Sequence, residues 1–76
     1  MAFERKFQEE PTSAAGYVDR GNRYSRNAVY HRAIADYTMA IELNPEYADA
    51  HYNRGCSYYE VGDYQKSIAD LTRAIE

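Results

Sequence analysis

The chain has 76 residues and a formal net charge of −3 at pH 7, with 9 basic and 12 acidic side chains. This length allows one small domain at most, and the acidic balance argues against a nucleic-acid partner, because general nucleic-acid binders are usually basic. No apolar run approaches the ~18 residues of a membrane-spanning helix, and the first residues lack the apolar core of a signal peptide, so we expect neither.

Residues 1–13 precede the first predicted helix. Phe3 and Phe7 are four residues apart, which places both on one face of a short amphipathic helix. A disordered extension is the alternative, and both readings stay open at this point. At the end of this segment, Thr12 or Ser13 can cap the following helix with a side-chain oxygen.

Helical periodicity dominates the rest of the chain. Ala33, Tyr37 and Ala40 recur at i, i+4 and i+7 and form one apolar stripe on an α-helix. No segment alternates strictly between apolar and polar residues, so no strand is expected. The pattern predicts four helices, whose spans are 14–27, 30–43, 48–61 and 64–76.

Turn signals separate these helices. Asn44-Pro45 ends the second helix, because the residue before a proline avoids the helical region. Gly62 is typical of the position that follows a helix, and Asp63 can cap the fourth helix.

An internal repeat relates the two halves of the chain. At an offset of 34 residues, segment 14–42 aligns with segment 48–76 without a gap, and 12 of the 29 positions are identical. The chain therefore divides into an extension (1–13), a first unit (14–47) and a truncated, uncapped second unit (48–76).

This repeat resembles the tetratricopeptide repeat (TPR) family, which has a 34-residue pattern of aromatic, glycine, tyrosine, alanine and proline positions. The first unit matches it at Tyr17, Gly21, Tyr24, Ala33, Tyr37, Ala40 and Pro45. The corresponding residues of the second unit are His51, Gly55, Tyr58, Ser67, Leu71 and Ala74. Arg20 and Arg54 depart from the family, which commonly has leucine there. The resemblance implies an all-α fold of helix-turn-helix repeats stacked as a right-handed superhelix with a concave groove.

The resemblance also implies a non-enzymatic protein-interaction module that binds a peptide or helix in this groove. The first helix of each unit would line it, through Val18, Asp19, Asn22, Arg26, Asp49, Tyr52, Asn53, Cys56, Tyr59 and Glu60. Asn22 and Asn53 are favoured because an amide both donates and accepts hydrogen bonds. Tyr52 and Tyr59 offer broad, stiff contact areas. The alternatives are a solvated helix face for the asparagines and packing against the neighbouring unit for the tyrosines.

A carboxylate clamp for a C-terminal peptide is not expected. In chaperone-binding members of the family, lysines join asparagines in such a clamp, and Val18 stands where one of these lysines would be.

A second hypothesis assigns the protein to assembly. No further helix covers the last apolar stripe, formed by Ile68, Leu71 and Ile75, and uncovered apolar surface often marks an interaction site. Either the chain is a fragment of a longer repeat protein, or two copies pair through this stripe as a symmetric homodimer.

No chemistry stands out among the remaining residues. His31, His51 and Cys56 have neither metal-ligand spacing nor an orienting partner for catalysis, so we expect no metal, cofactor or catalytic residue. The single cysteine excludes an internal disulfide framework and favours the cytoplasm.

A row of arginines lies along the first helix, at Arg20, Arg23 and Arg26. It is interpreted as a solvated face, with an acidic-partner or RNA contact as the alternative.

Overall fold

Four helices follow one another in the computed structural model, which describes residues 10–76. They are α1 (Ala14–Arg26), α2 (Tyr30–Leu43), α3 (Ala48–Glu60) and α4 (Tyr64–Ala74). Each begins at its predicted residue and ends within two residues of the predicted end, and no strand occurs within residues 10–76. The all-helical prediction is confirmed. The alternatives for Phe3 and Phe7 lie outside the described residues.

The helix ends follow the predicted capping chemistry. Ser13 is the N-cap of α1, and its hydroxyl accepts a hydrogen bond from the Gly16 N–H at 3.0 Å. Asp63 caps α4 by accepting from the Lys66 N–H at 3.3 Å. Asn44, before Pro45, has an extended backbone and ends α2.

The turns after α1 and α3 each contain a residue in the left-handed region. Gly62 has φ of 87°, as its position after α3 requires, and Ala28 has φ of 60° at the corresponding place after α1. Glycine adopts this conformation freely, whereas the Cβ of alanine makes it unfavourable. The two turns therefore have the same shape but different backbone strain.

The helices form two pairs, α1 with α2 and α3 with α4, and α2 packs against α3 to join the pairs. The core between them contains Val18, Ala33, Tyr37, Ala40 and Ala50. Helix α1 comes so close to the Tyr37 ring that a Cβ placed on Gly21 would lie 2.7 Å from Tyr37 Cε1. Glycine at this position therefore sets the distance between α1 and α2.

One arginine–aspartate ion pair ties together the helices of each pair. Arg20 Nε lies 2.9 Å from Asp36 Oδ2, and Arg54 Nε lies 2.7 Å from Asp70 Oδ2. A second guanidinium nitrogen of each arginine bonds the other carboxylate oxygen, so both contacts are bidentate. The interpretation of Arg20 as part of a solvated row is wrong, since its guanidinium is held by Asp36.

Contacts from the second helix pair also fix the connection between the pairs. Arg54 Nη1 donates to Thr38 Oγ1 on α2 at 3.1 Å, in addition to its bonds with Asp70. The hydrogen bonds to Asp70 raise the pKa of Arg54. The buried His51 ring donates from Nε2 to the Pro45 carbonyl at 2.9 Å. These bonds hold α3 in register against α2.

Candidate functional site

Helices α1 and α3 carry all the side chains predicted to line a groove. Asn22 and Asn53 are half-buried, and the other residues predicted to contact a peptide are exposed: Asp19, Arg26, Asp49, Tyr52, Cys56 and Tyr59. Val18 does not line the surface, because it is buried in the core with Ala50 of α3.

The two asparagines meet where α1 passes α3. Asn53 Nδ2 donates to Asn22 Oδ1 at 3.2 Å. The hydroxyl of Tyr37, which reaches this point from α2, donates to the same oxygen at 2.6 Å. Asn22 and Asn53 are thus neither independent nor simply solvated, and we refer to them as the asparagine pair.

Two exposed tyrosines flank the asparagine pair along α3. Tyr52 lies one turn from Cys56, and a side-chain hydrogen bond with this cysteine raises the pKa of the Tyr52 hydroxyl. The ring of Tyr59 lies 5.2 Å from the ring of Tyr64 on α4, at an interplanar angle of 56°. Tyr59 therefore packs within its own helix pair. Both Tyr52 and Tyr59 remain exposed.

An apolar groove of about 330 Å³ lies at the outer face of the second helix pair. We call it the end groove, and its residues are Tyr52, Ile68, Leu71, Thr72 and Ile75. Ile68 and Ile75 are 64% and 84% exposed, while Leu71 is half-buried. The end groove brings the three residues predicted for self-association together with Tyr52, which the sequence assigned to the peptide groove.

The internal repeat explains where the end groove lies. Each of its residues is 34 positions after a residue of the first pair: Val18, Ile34, Tyr37, Thr38 and Ile41. Val18 and Tyr37 are buried in the core that α3 helps to form. The same positions of the second pair have no such helix over them within residues 10–76, so they remain open.

The role of the Tyr37 hydroxyl was missed from the sequence, which identified Tyr37 only as core. Asn22 and Tyr37 correspond to Cys56 and Leu71, so the polar partners of the first unit are both replaced in the second. Because 17 of the 29 aligned positions differ between the units, this joint change gave no signal of their contact.

Two further properties of the described residues bear on function. No group of three or more His, Cys, Asp or Glu side chains within residues 10–76 is placed to hold a metal ion. None of the four described helices is long and apolar enough to cross a membrane.

A family model described as TPR repeat matches residues 21–62, which are 42 of the 76 residues. The match runs from Gly21 in α1 to the turn after α3. No curated protein matches the sequence.

Proposed function

The chain belongs to the tetratricopeptide repeat family, and we propose that it binds an extended peptide segment of a partner protein in the groove formed by α1 and α3. The family is generally one of protein–protein interaction modules without enzymatic activity. The four helices fit two repeats, for which we propose the bounds 14–47 and 48–76. The free, exposed Cys56 thiol supports a reducing compartment such as the cytoplasm as the site of action.

The asparagine pair carries this proposal. Its two amides lie side by side where α1 meets α3, and side-chain amides match the hydrogen-bonding groups of a peptide backbone. Backbone contacts of this kind give affinity without requiring a particular sequence.

Exposed side chains beside the asparagine pair supply the rest of the contact surface. Tyr52 and Tyr59 are 54% and 59% exposed, and tyrosine is among the residues that contribute most to interfaces. Asp19, Arg26, Asp49 and Cys56 add exposed polar groups on the same two helices, α1 and α3. The surface therefore combines aromatic area with a polar margin.

A displayed library of random peptides tests the proposal. Peptides selected on the wild-type chain are measured by titration calorimetry against Asn53→Ala, which we expect to bind several-fold more weakly. Gln65→Ala removes an exposed amide from α4 instead and serves as the matched control, with unchanged affinity. Equal affinity of wild type and Asn53→Ala for every selected peptide would contradict the proposal.

Self-association is a second candidate function, favoured by the end groove. None of its five residues is charged, so two copies can face each other through this surface without repulsion between like charges. A two-fold contact would place Ile68, Leu71 and Ile75 of one copy on the same residues of the other.

Light scattering across micromolar concentrations tests self-association. Leu71→Asp is expected to dissociate the dimer, because a carboxylate would be buried without a partner. Leu43→Asp is the matched control, since Leu43 is 53% exposed and lies outside the end groove. A wild-type monomer at all concentrations would refute this candidate. Asn53→Ala should leave the dimer intact.

A further inference from the structure

A polar cleft lies between α1 and α2, on the opposite side of α1 from the asparagine pair. Arg20 of this cleft and Asn22 are two positions apart, which turns their side chains by about 200° around the helix axis. The cleft has a volume of about 260 Å³. We call it the arginine cleft, and its residues are Glu10, Arg20, Tyr24, Arg32, Ala35 and Asp36.

The Glu10 side chain occupies part of the arginine cleft. Its Oε1 accepts a hydrogen bond from Arg20 Nη2 at 3.0 Å, beside the bidentate pair of Arg20 with Asp36. Glu10 lies in the non-helical segment before α1, and Pro11 follows it so close to the helix that a Cβ on Gly16 would lie 3.1 Å from Pro11 Cβ. The chain itself therefore shows which group fits here, namely the carboxylate of a glutamate carried by a non-helical segment.

The contact made by Glu10 can be exchanged at little cost. Its side chain is 72% exposed, and an ion pair of this kind contributes little to stability, because water solvates both charges well when they are apart. Asp36, by contrast, is buried and holds the Arg20 guanidinium through two hydrogen bonds. Another glutamate can therefore replace Glu10 on Arg20 without disturbing the ion pair that joins α1 to α2.

Arg32 supplies a second cation that Glu10 does not use. It is exposed, its guanidinium lies 5.8 Å from the centre of the Tyr24 ring, and its Nη1 donates to the Tyr24 hydroxyl at 3.5 Å. No carboxylate of residues 10–76 forms an ion pair with Arg32. Because the Tyr24 hydroxyl accepts from Arg32, its own hydrogen is left to be donated. A carboxylate in the cleft would thus meet donor groups of Arg20, Tyr24 and Arg32.

The same arrangement recurs in the second helix pair. At an offset of 34 residues, each polar side chain of α1 and α2 in the cleft has a counterpart of the same type or charge: Arg54, Tyr58, Lys66 and Asp70. Lys66 Nζ lies 5.5 Å from the centre of the Tyr58 ring, as an arginine does in the first pair. Asn44 stands where the first unit has Glu10, so the second pair has no carboxylate at this position. A segment with several glutamates would therefore find an equivalent place on each pair.

We propose that the arginine cleft binds a glutamate side chain from an acidic segment of a partner protein, and that Glu10 occupies the cleft as an internal competitor. The cleft shares no residue with the groove of the proposed function, so this inference does not rest on that function. Once Glu10 leaves, two arginines face the single carboxylate of Asp36. The one positive charge that remains matches a carboxylate better than a phosphate dianion.

A blocked tetraglutamate peptide tests the inference, with blocked tetraglutamine and inorganic phosphate as comparisons. The side-chain Nε–H signals of Arg20 and Arg32 in ¹H–¹⁵N NMR spectra report occupation of the cleft. We expect saturable shifts of both signals with tetraglutamate and none with tetraglutamine. Two results would overturn the inference: no response of either arginine to tetraglutamate, or a saturable response to phosphate at concentrations as low as those of tetraglutamate.

Glu10→Gln tests the role of Glu10 as a competitor. Removal of its carboxylate should strengthen tetraglutamate binding by up to about fivefold, which is the equilibrium equivalent of an exposed ion pair. Glu42→Gln is the matched control, because it removes an exposed carboxylate of α2 that lies outside the cleft. An equal gain in the two variants, or no gain in Glu10→Gln, would overturn the inference.

Arg32→Gln tests the second cation and leaves the ion pair between Arg20 and Asp36 in place. Tetraglutamate should bind about fivefold more weakly. Arg23→Gln is the matched control, because it removes the same charge from an exposed position of α1 outside the cleft. Equal losses in the two variants would reflect attraction by net charge alone, and would overturn the assignment of a site.

Discussion

Two glycines at equivalent repeat positions should respond differently to alanine. A Cβ on Gly21 would lie 2.7 Å from Tyr37 Cε1 and 3.0 Å from Tyr37 Cδ1. The fully buried ring has no space into which to move. A Cβ on Gly55 would lie 3.0 Å from two carbons of Leu71, which is half-buried beside the open end groove and can shift by a few tenths of an ångström. It would also lie 3.1 Å from the Cβ of Asp70, which is buried and held by Arg54.

The expected magnitudes follow from these contacts. Overpacking a core costs about 1–3 kcal/mol, and alanine gains about 1 kcal/mol over glycine within a helix. The clash at Gly21 belongs at the upper end of this range, so Gly21→Ala should lower the free energy of unfolding by about 2 kcal/mol. The contacts at Gly55 are less severe, because Leu71 can yield although Asp70 cannot, so Gly55→Ala should lower the free energy of unfolding by only about 1 kcal/mol.

Thermal and urea unfolding followed by circular dichroism at 222 nm measure both variants. For a chain of this size, a 2 kcal/mol loss corresponds to a melting temperature lower by about 8–16 °C. Gly21→Ala should also displace the Tyr37 hydroxyl from Asn22 and weaken peptide binding. Equal losses in the two variants, or a stabilised Gly21→Ala, would refute the assignment of a rigid contact at Gly21 and a yielding one at Gly55.

Further stability changes follow from the turns and from two serines. Both Ala28 and Gly62 have positive φ, which glycine adopts more easily than alanine. Ala28→Gly should therefore raise the free energy of unfolding by about 0.5–1 kcal/mol, and Gly62→Ala should lower it by about 1 kcal/mol. Changes of the same sign in urea unfolding would contradict this reasoning. Ser57→Ala should raise the free energy of unfolding by about 1 kcal/mol, because the buried Ser57 hydroxyl has no hydrogen-bond partner among the described residues. Ser13→Ala should lower the free energy of unfolding by about 1 kcal/mol, because it removes the N-cap of α1. Calorimetric melts compare the two serine variants, and a Ser57→Ala variant less stable than Ser13→Ala would count against the unpaired Ser57 hydroxyl.

Local chemistry made the helix ends predictable from the sequence. Asp63 and Ser13 cap helices through bonds to residues three positions away, and Pro45 acts on its direct neighbour. Gly62 was predictable for the same reason. Ala28 was not, because alanine gives no signal for the left-handed region, and only the equivalence of the two turns places it there.

Contacts between distant segments were harder to predict. Val18 and Tyr52 occupy the same repeat position on the same face of a helix, yet Val18 is buried and Tyr52 is exposed. The difference arises from α3, which packs beside the first pair, and not from either residue. Likewise, the sequence pattern placed Arg20 in a solvated row, whereas in the structure Arg20 pairs with Asp36, 16 residues away. Arg54 and Asp70 are separated by the same 16 residues, and this repeated spacing was the sequence signal of the two ion pairs.

The divergence of the two units assigns them different tasks in the proposed function. Where the first unit has Asn22 and Tyr37, which form hydrogen bonds, the second has Cys56 and Leu71, and Leu71 borders the end groove instead. The distance across the asparagine pair depends in turn on how α3 sits against α2. That position is held by Arg54, which bonds Thr38, and by His51, which bonds the Pro45 carbonyl. Arg54 and His51 therefore hold the helix pairs together without belonging to the proposed contact set, whereas the asparagine pair both links α1 to α3 and would contact a peptide.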